Sequence, residues 1–286
     1  MHTRIVLNNR LIEAAKARLP AVTAATLHGR GVFTTLAVYD GKPFLWPEHW
    51  ARLTLHAARA GVDYAAYDEE IVGASLQRLI EANNVGRGRA RITLLGRAAG
   101  GPWKVEGRKS ATSTDLIIIT GDARAVTDDG LALTVSPYRV NTHSPLVGLK
   151  SVNYLEHVLS WEEARARDFD EAVVMNERGE VVSATMANIF WMKGGTLHTP
   201  ALAAGALAGI TRSQVLTLAE ASAVPHVEGV FDLAHLGDAD EIFLTSTGVG
   251  VSLVTAFDFH RYTVPAGSAP LRLREAFRQL TLGTIF

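Results

Sequence analysis

The chain has 286 residues, of which 48% are hydrophobic and 20% charged, which suits a globular protein of one large or two medium domains. Its net charge of −1 gives no global field for nucleic acid or membrane. The absence of cysteine excludes disulfides, thiol catalysis and cysteine-ligated metals. The N-terminus lacks the apolar core of a signal peptide, and no stretch approaches the ~20 apolar residues of a membrane span, so a cytoplasmic protein is expected.

Residues 1–120 are predicted to form a small module of two helices on a sheet. Thr34–Trp46 is typical of a hairpin, because Asp40-Gly41 is a strong type I′ turn signal. Pro47-Glu48 then opens a helix that Gly61 ends. The predicted helices and remaining strands of this module are His49–Ala60, Tyr67–Asn84, Arg91–Leu95 and Asp115–Thr120.

Residues 121–130 are polar and turn-rich, which favours an interdomain linker. The larger module over 131–286 is predicted to be β-rich and to carry Lys150. Because strands and helices are partly segregated, an α+β fold fits better than a doubly wound one. Its predicted elements are strands Leu131–Val135, Glu171–Met175, Val181–Met192 and Glu241–Thr245, and helices Asn153–Arg167 and Thr211–Ala223.

Lys150 is the most informative residue, because it follows a loop containing Pro145 and Gly148 and precedes an apolar helix. Burial lowers the pKa of a lysine, and a neutral amine is a nucleophile suited to forming a Schiff base with an aldehyde. The alternative is an ordinary lysine at the start of a helix, with its aliphatic stem buried and its amine in solvent.

Two turns are suited to binding an anion. Gly209-Ile210-Thr211-Arg212 enters a helix, whose N-terminal amides make a phosphate seat. Ser246-Thr247-Gly248 follows a strand and offers hydroxyls with a flexible backbone. Arg52, inside an amphipathic helix, is suited to be a third phosphate ligand, although each feature alone is also typical of an ordinary turn, cap or solvated helix face. One lysine with three phosphate-type elements indicates pyridoxal phosphate.

The chain resembles the class IV aminotransferase family, the pyridoxal-phosphate enzymes of fold type IV, over roughly Leu27 to Val254. That family includes branched-chain and D-amino-acid aminotransferases and aminodeoxychorismate lyase. It implies a small N-terminal α/β domain, a larger β-rich C-terminal domain and a homodimer. The residues that carry the resemblance are Gly29-Arg30-Gly31-Val32-Phe33, Glu48-His49, Arg52-Leu53, Lys150, Asn153, Asn188-Ile189-Phe190, Thr199-Pro200 and Gly209-Ile210-Thr211-Arg212.

The resemblance implies a role for each site residue. Lys150 would form the Schiff base with the cofactor and later move the Cα proton. Tyr154 would contact the phenolic oxygen of the cofactor, or simply pack on its helix. Arg97 would bind a substrate carboxylate, or lie in solvent. The remaining candidates are cofactor-binding Arg52, Ser183, Asn188, Gly209, Ile210, Thr211, Ser246 and Thr247, and substrate-binding Phe33 and Thr35.

Ser183 departs from the family pattern. The family usually has a glutamate five residues before the asparagine of Asn188-Ile189-Phe190, where it keeps the pyridine nitrogen protonated. A serine hydroxyl can bond a neutral pyridine nitrogen but cannot form a charge pair, so the electron sink is expected to be weaker. Glu180 is no obvious substitute, because a strand would point it to the opposite face.

Small details favour the lyase, which makes 4-aminobenzoate and pyruvate for folate synthesis. Phe33-Thr34-Thr35 stands where many aminotransferases have Phe-Glu, and Asn153-Tyr154-Leu155-Glu156 resembles the lyase pattern. The alternatives are an aminotransferase acting on a branched-chain or D-amino acid and a 2-oxo acid, and a catalytically impaired cofactor-binding homologue. The histidines have no metal spacing, so no metal is expected.

Overall fold

The computed structural model describes residues 1–98, 113–124 and 130–283. The chain forms two compact units. The first unit comprises Met1–Arg124 with Leu149–Tyr154, and the second comprises Ala125–Gly148 with Leu155–Phe286. No helix among the described residues is long and apolar enough to cross a membrane.

The first unit contains a six-stranded antiparallel sheet in the order β2-β1-β6-β5-β3-β4. The N-terminal strands β1 and β2, which the sequence did not suggest, extend one edge of this sheet. The elements of the first unit are β1 (Arg4–Leu7), β2 (Arg10–Glu13), α1 (Ala24–His28), β3 (Gly31–Tyr39), β4 (Lys42–Pro43), α2 (Trp46–Ala60), α3 (Glu69–Ala82), β5 (Gly88–Gly96) and β6 (Thr114–Asp122).

The predicted hairpin and its helix are present, with a shifted boundary. Asp40 and Gly41 both have positive φ, as a type I′ turn requires, and they join β3 to β4. Helix α2 begins at Trp46, inside the segment predicted as strand, because the chain turns at Leu45, where φ is 53°. Gly61 ends α2 in the left-handed conformation, as predicted.

The side chains of strand β3 alternate between the two faces of the sheet. Val32, Thr34, Leu36 and Val38 face the core that α2 and α3 cover, and all four are fully buried. Phe33 and the other odd-numbered residues therefore lie on the opposite face of the sheet.

The second unit contains a nine-stranded mixed sheet in the order β12-β11-β10-β13-β14-β7-β8-β9, with β15 paired to β14. Three pairs are parallel: β11–β12, β14–β7 and β7–β8. Its elements are β7 (Leu131–Val140), α4 (Leu155–Ala166), β8 (Glu171–Asn176), β9 (Val181–Ala184), β10 (Asn188–Lys193), β11 (Thr196–Pro200), α5 (Ile210–Ala221), β12 (His226–Gly229), α6 (Leu233–Gly237), β13 (Glu241–Ser246), β14 (Gly250–Phe257), β15 (His260–Arg261) and α7 (Ala269–Thr281).

The predicted strand Val181–Met192 is two strands in the structure. The amide of Ala184 donates to the carbonyl of Ala187 at 2.9 Å, which closes a turn between β9 and β10. The two strands pair with different partners, β9 with β8 and β10 with β13. No glycine or proline in residues 181–192 marks the turn, and both strands are buried on both faces, so the segment resembles one strand. The α+β class is confirmed.

The position of Lys150 differs from the sequence prediction. The lysine was expected within the larger C-terminal module, but its segment, Leu149–Tyr154, belongs to the first unit. The reason is backbone pairing with β3, which a local sequence pattern does not reveal. The predicted linker at 121–130 stays a prediction, since residues 125–129 lie outside the described part of the chain.

Candidate active site

Lys150 lies in a short segment that pairs with β3. Its carbonyl accepts a hydrogen bond from the amide of Phe33 at 2.9 Å, and the amide of Val152 donates to the carbonyl of Gly31 at 2.9 Å. Its own amide donates to Nδ1 of His56 on α2 at 3.1 Å. The backbone of the lysine is therefore fixed by elements that precede it by about a hundred residues.

The amine of Lys150 lies between two aromatic rings. Its Nζ is 4.6 Å from the ring centroid of Phe33 and 4.9 Å from that of Tyr154, and the two rings meet edge to face at 5.2 Å. Burial, and then the charges of Arg52 and Arg91, lower the pKa of Lys150 to about 7. Much of the amine is therefore neutral near pH 7, as a nucleophile requires.

Arg52, a residue of α2, is held by a buried polar network with Thr34 and His49. Its Nη2 donates to Thr34 Oγ1 at 3.0 Å, and that hydroxyl shares a 2.7 Å hydrogen bond with Nδ1 of His49. Burial, with the charges of Arg52 and Lys150, lowers the pKa of His49 to about 3, so its ring is neutral. Burial also lowers the pKa of Arg52 to about 10, which leaves it a cation at neutral pH.

Arg91 on β5 and Arg97, which directly follows β5, have different surroundings. The guanidinium of Arg91 lies 3.6 Å from the ring centroid of Phe33, and Arg91 is paired across the sheet with Thr35. It forms no ion pair with any residue that the structure describes. Arg97, the candidate from the sequence, binds Oδ2 of the buried Asp115 at 2.8 Å instead of lying in solvent.

The sequence alone did not reveal the contributions of His49, His56, Thr34 and Arg91. A signal existed for the helix: positions 49, 52 and 56 fall on one face at helical spacing. Strand alternation likewise puts Arg91 on the face of Phe33 and Thr35. Neither pattern shows that the face meets Lys150, because that contact depends on a distant segment.

In the second unit, Asn188 contacts the turn that precedes α5. Its Nδ2 donates to the carbonyl of Leu207 at 2.9 Å. A Cβ on Gly209 would lie 2.0 Å from Oδ1 of Asn188, so only glycine fits. Gly209 is the N-cap of α5 and has no side-chain cap, which leaves the amides of Ile210 and Thr211 without helical acceptors.

The second predicted anion-binding turn meets Asn188 as well. The register of β10 and β13 places Asn188 opposite Thr245, and the next residue, Ser246, ends β13. Ser246 and Thr247 are partly exposed at this turn. Two turns that are distant in sequence therefore approach the same asparagine.

Several motif residues support the architecture instead of facing a ligand. Arg212 Nη2 donates to the carbonyl of Pro200 at 3.1 Å and also binds the carboxylate of Glu228. In the first unit, Nδ2 of Asn153 donates to the carbonyl of Gly29 at 2.8 Å. Gly29 has φ 64°, and a Cβ there would lie 2.1 Å from Asn153 Oδ1.

Ser183 lies on β9 opposite Val174 and is buried. Its hydroxyl forms no hydrogen bond with any described residue. Glu180 is bound at 2.6 Å by Arg178 and at 2.6 Å by Asn176. That carboxylate is therefore engaged elsewhere, which agrees with its exclusion as a substitute for the missing acid.

These groups fit pyridoxal phosphate by their chemistry. A partly buried lysine with a lowered pKa suits its aldehyde, and a partly buried arginine cation suits its phosphate. In the second unit, the uncapped N-terminus of α5 offers backbone amides of the kind that bind a phosphate.

Comparison with known proteins gives the same family. The model of the class IV amino-transferase family matches residues 31–257. A provisionally named branched-chain-amino-acid aminotransferase of Methanocaldococcus jannaschii is 31% identical over 97% of this chain and 96% of its own. D-alanine aminotransferase of Listeria innocua is 28% identical over 89% of this chain and 88% of its own. Aminodeoxychorismate lyase of Bacillus subtilis is 27% identical over 96% of this chain and 94% of its own.

The fold also matches solved structures. The branched-chain amino acid aminotransferase of Escherichia coli superposes with a TM-score of 0.89, at 24% identity, over 100% of this chain and 97% of the other. The chain therefore belongs to the class IV aminotransferase family, the pyridoxal-phosphate-dependent enzymes of fold type IV.

Proposed function

We propose that the protein is an aminotransferase that moves an amino group between a branched-chain or D-amino acid and a 2-oxo acid. The observation that carries this proposal is the amine of Lys150, which is neutral in large part near pH 7 and lies between the rings of Phe33 and Tyr154. The sequence details favoured the lyase. The relatives support transamination better, because they include branched-chain and D-alanine aminotransferases as well as the lyase.

Lys150 has two tasks in this proposal. As a neutral amine it would hold the cofactor aldehyde, and once free it would accept and return the Cα proton of the substrate. Pyridoxal phosphate, when bound, supplies an electron sink that stabilises negative charge at Cα. A pKa near 7 lets the amine accept and return a proton at little cost near neutral pH.

The other candidates hold the cofactor. Arg52 binds its phosphate, and the network with Thr34 and His49 keeps the guanidinium oriented. Tyr154 lies beside the amine ahead of helix α4, which supports contact with the cofactor over simple helix packing. The other cofactor-binding residues that we propose are Ser183, Asn188, Gly209, Ile210, Thr211, Ser246 and Thr247.

Arg91 is a better candidate than Arg97 for binding a substrate carboxylate. Arg97 already pairs with Asp115, whereas Arg91 has no anionic partner among the described residues. A guanidinium stacked on Phe33 is oriented for a planar carboxylate, and Thr35 lies next to it on the same face. Phe33 and Thr35 stay substrate-binding candidates for this reason.

Aminodeoxychorismate lyase is the second candidate function. It is supported by Phe33-Thr34-Thr35, by the Asn153-Tyr154-Leu155-Glu156 run and by the 27% identical relative. Thr34, however, has a structural task, because its buried hydroxyl binds Arg52 and His49. The threonine pair therefore discriminates less between the two reactions than the sequence suggested.

The test is the visible spectrum of the cofactor-loaded protein during addition of D- and L-amino acids without any 2-oxo acid. An aminotransferase converts the lysine-bound absorption band into that of pyridoxamine phosphate with its own donor, and a 2-oxo acid restores the band. The D and L series identify the stereochemistry.

If no amino acid changes the band, the aminotransferase proposal fails. Release of 4-aminobenzoate from aminodeoxychorismate would then establish the lyase, and its absence as well would indicate the impaired homologue. The homodimer implied by the resemblance stays a prediction, which light scattering of the purified protein tests.

A further inference from the structure

His56 is the histidine of α2 that contacts the backbone of Lys150. Its side chain is buried, and its Nδ1 lies 3.1 Å from the amide nitrogen of Lys150. A backbone amide can only donate, so Nδ1 must accept, and the neutral ring carries its proton on Nε2. Burial, together with the charges of Arg52, Arg59 and Lys150, lowers the pKa of His56 to about 4, which keeps Nδ1 unprotonated.

The opposite side of the Lys150 backbone is fixed by β3. The carbonyl of Lys150 accepts from Phe33, whose ring also lies 4.6 Å from Nζ. The hydrogen bond to His56 is the one that the structure gives to the amide of Lys150. The lysine is thus held between a strand on one side and a helix on the other.

We propose that His56 is a positioning residue that fixes the backbone of Lys150, so that the amine stays between the rings of Phe33 and Tyr154. The inference rests on the proposed role of Lys150 as the reactive amine. It assigns to α2 two tasks on one face: Arg52 for the phosphate and His56, one turn further along, for the lysine.

Loss of the acceptor has a defined consequence. An amide that loses its partner away from water is destabilised, and the segment relieves this cost by moving until water reaches the amide. Such movement withdraws the amine from the two rings. Because desolvation is the main cause of its lowered pKa, the pKa of Lys150 then rises toward its ordinary value.

The experiment measures the reactivity of Lys150 in the cofactor-free, full-length protein. A small amine-acylating reagent is applied between pH 5 and 10, and modification of the Lys150 peptide is quantified by mass spectrometry. His56→Leu removes the acceptor, whereas His56→Asn keeps an oxygen near the position of Nδ1. Leu55→Asn, at an exposed neighbouring position on α2, is the matched control.

We expect a midpoint near pH 7 in the wild type, the control and His56→Asn. His56→Leu should raise the midpoint by about one unit, which makes labelling at pH 7 about fivefold slower. If His56→Leu fails to fold, His56→Gln takes its place, because its longer amide places the oxygen near Nε2 instead of Nδ1.

Two outcomes overturn the proposal. An unchanged midpoint in the variants without the acceptor, even with a lower melting temperature, means that His56 only packs. An equal shift in His56→Asn means that the acceptor is not the active feature. Labelling requires neither cofactor nor turnover, so an absence of transamination would count against the proposed function alone.

Discussion

The lysine region of the first unit and the turns of the second unit are constructed differently. Around Lys150, side chains from α2, β3 and β5 meet, and their charges and burial set its pKa. Around Asn188, the candidate donors are mostly backbone amides at an uncapped helix start. The first region therefore depends on side-chain identity, whereas the second depends on the absence of a side chain at Gly209.

The largest effect should come from removing the amine. Lys150→Ala eliminates both the group that binds the aldehyde and the group that moves the proton, so activity should fall at least ~10³-fold. Steady-state transamination with the best donor measures this loss. Lys42→Ala, on the exposed edge of the same unit, should keep wild-type activity, and comparable activity in both variants would contradict the role of Lys150.

Arg52→Gln tests the proposed contact between Arg52 and the cofactor phosphate. Charge-assisted hydrogen bonds contribute about 1.5–3 kcal/mol, so the affinity for the cofactor should fall roughly 10- to 100-fold. Titration with pyridoxal phosphate, followed by absorbance, gives the dissociation constant. Arg59→Gln on the exposed side of α2 is the control, and an equal loss there would point to general electrostatics instead of a specific ligand.

Ser183→Glu tests the missing acid in the second unit. A carboxylate at this buried position should hold the pyridine nitrogen protonated and raise the transamination rate about tenfold, which corresponds to ~1.4 kcal/mol of the barrier. Single-turnover kinetics with an amino donor measures the step directly. Ser183→Gln, a side chain of similar size to glutamate without its charge, should give no such increase, and an unchanged rate in Ser183→Glu would undercut the electron-sink argument.

Gly209→Ala tests whether the second unit depends on the missing side chain. The added methyl group would meet Oδ1 of Asn188 at 2.0 Å and displace it, which should cost about 1–3 kcal/mol in the free energy of unfolding. Urea unfolding measures the cost. A Cβ on Gly237 meets nothing within 4 Å, so Gly237→Ala is the control.

A pH dependence of stability is also expected. The pKa of Lys150 is lowered from 10.5 to about 7, so the unfolded chain binds more protons than the folded one between these values. The free energy of unfolding of the cofactor-free protein should therefore rise with pH across this window. Lys150→Met should flatten the rise, and urea unfolding at pH 7, 8.5 and 10 shows whether it does.

Local sequence patterns were sufficient to predict the family, the α+β class and most elements. Asp40-Gly41 predicted its hairpin and Gly61 its helix end, because turns and caps depend on local backbone preferences. The sequence also singled out Lys150, since a lysine among loop and apolar residues is a local signal.

The surroundings of Lys150 could not be predicted from local patterns. Its pairing with β3, the acceptor on His56 and the charge of Arg91 come from segments far away in the chain. The partner of Arg97 is likewise a matter of strand register, which brings Asp115 beside it. A pKa depends on burial and neighbouring charges, which exist only once distant residues have packed together.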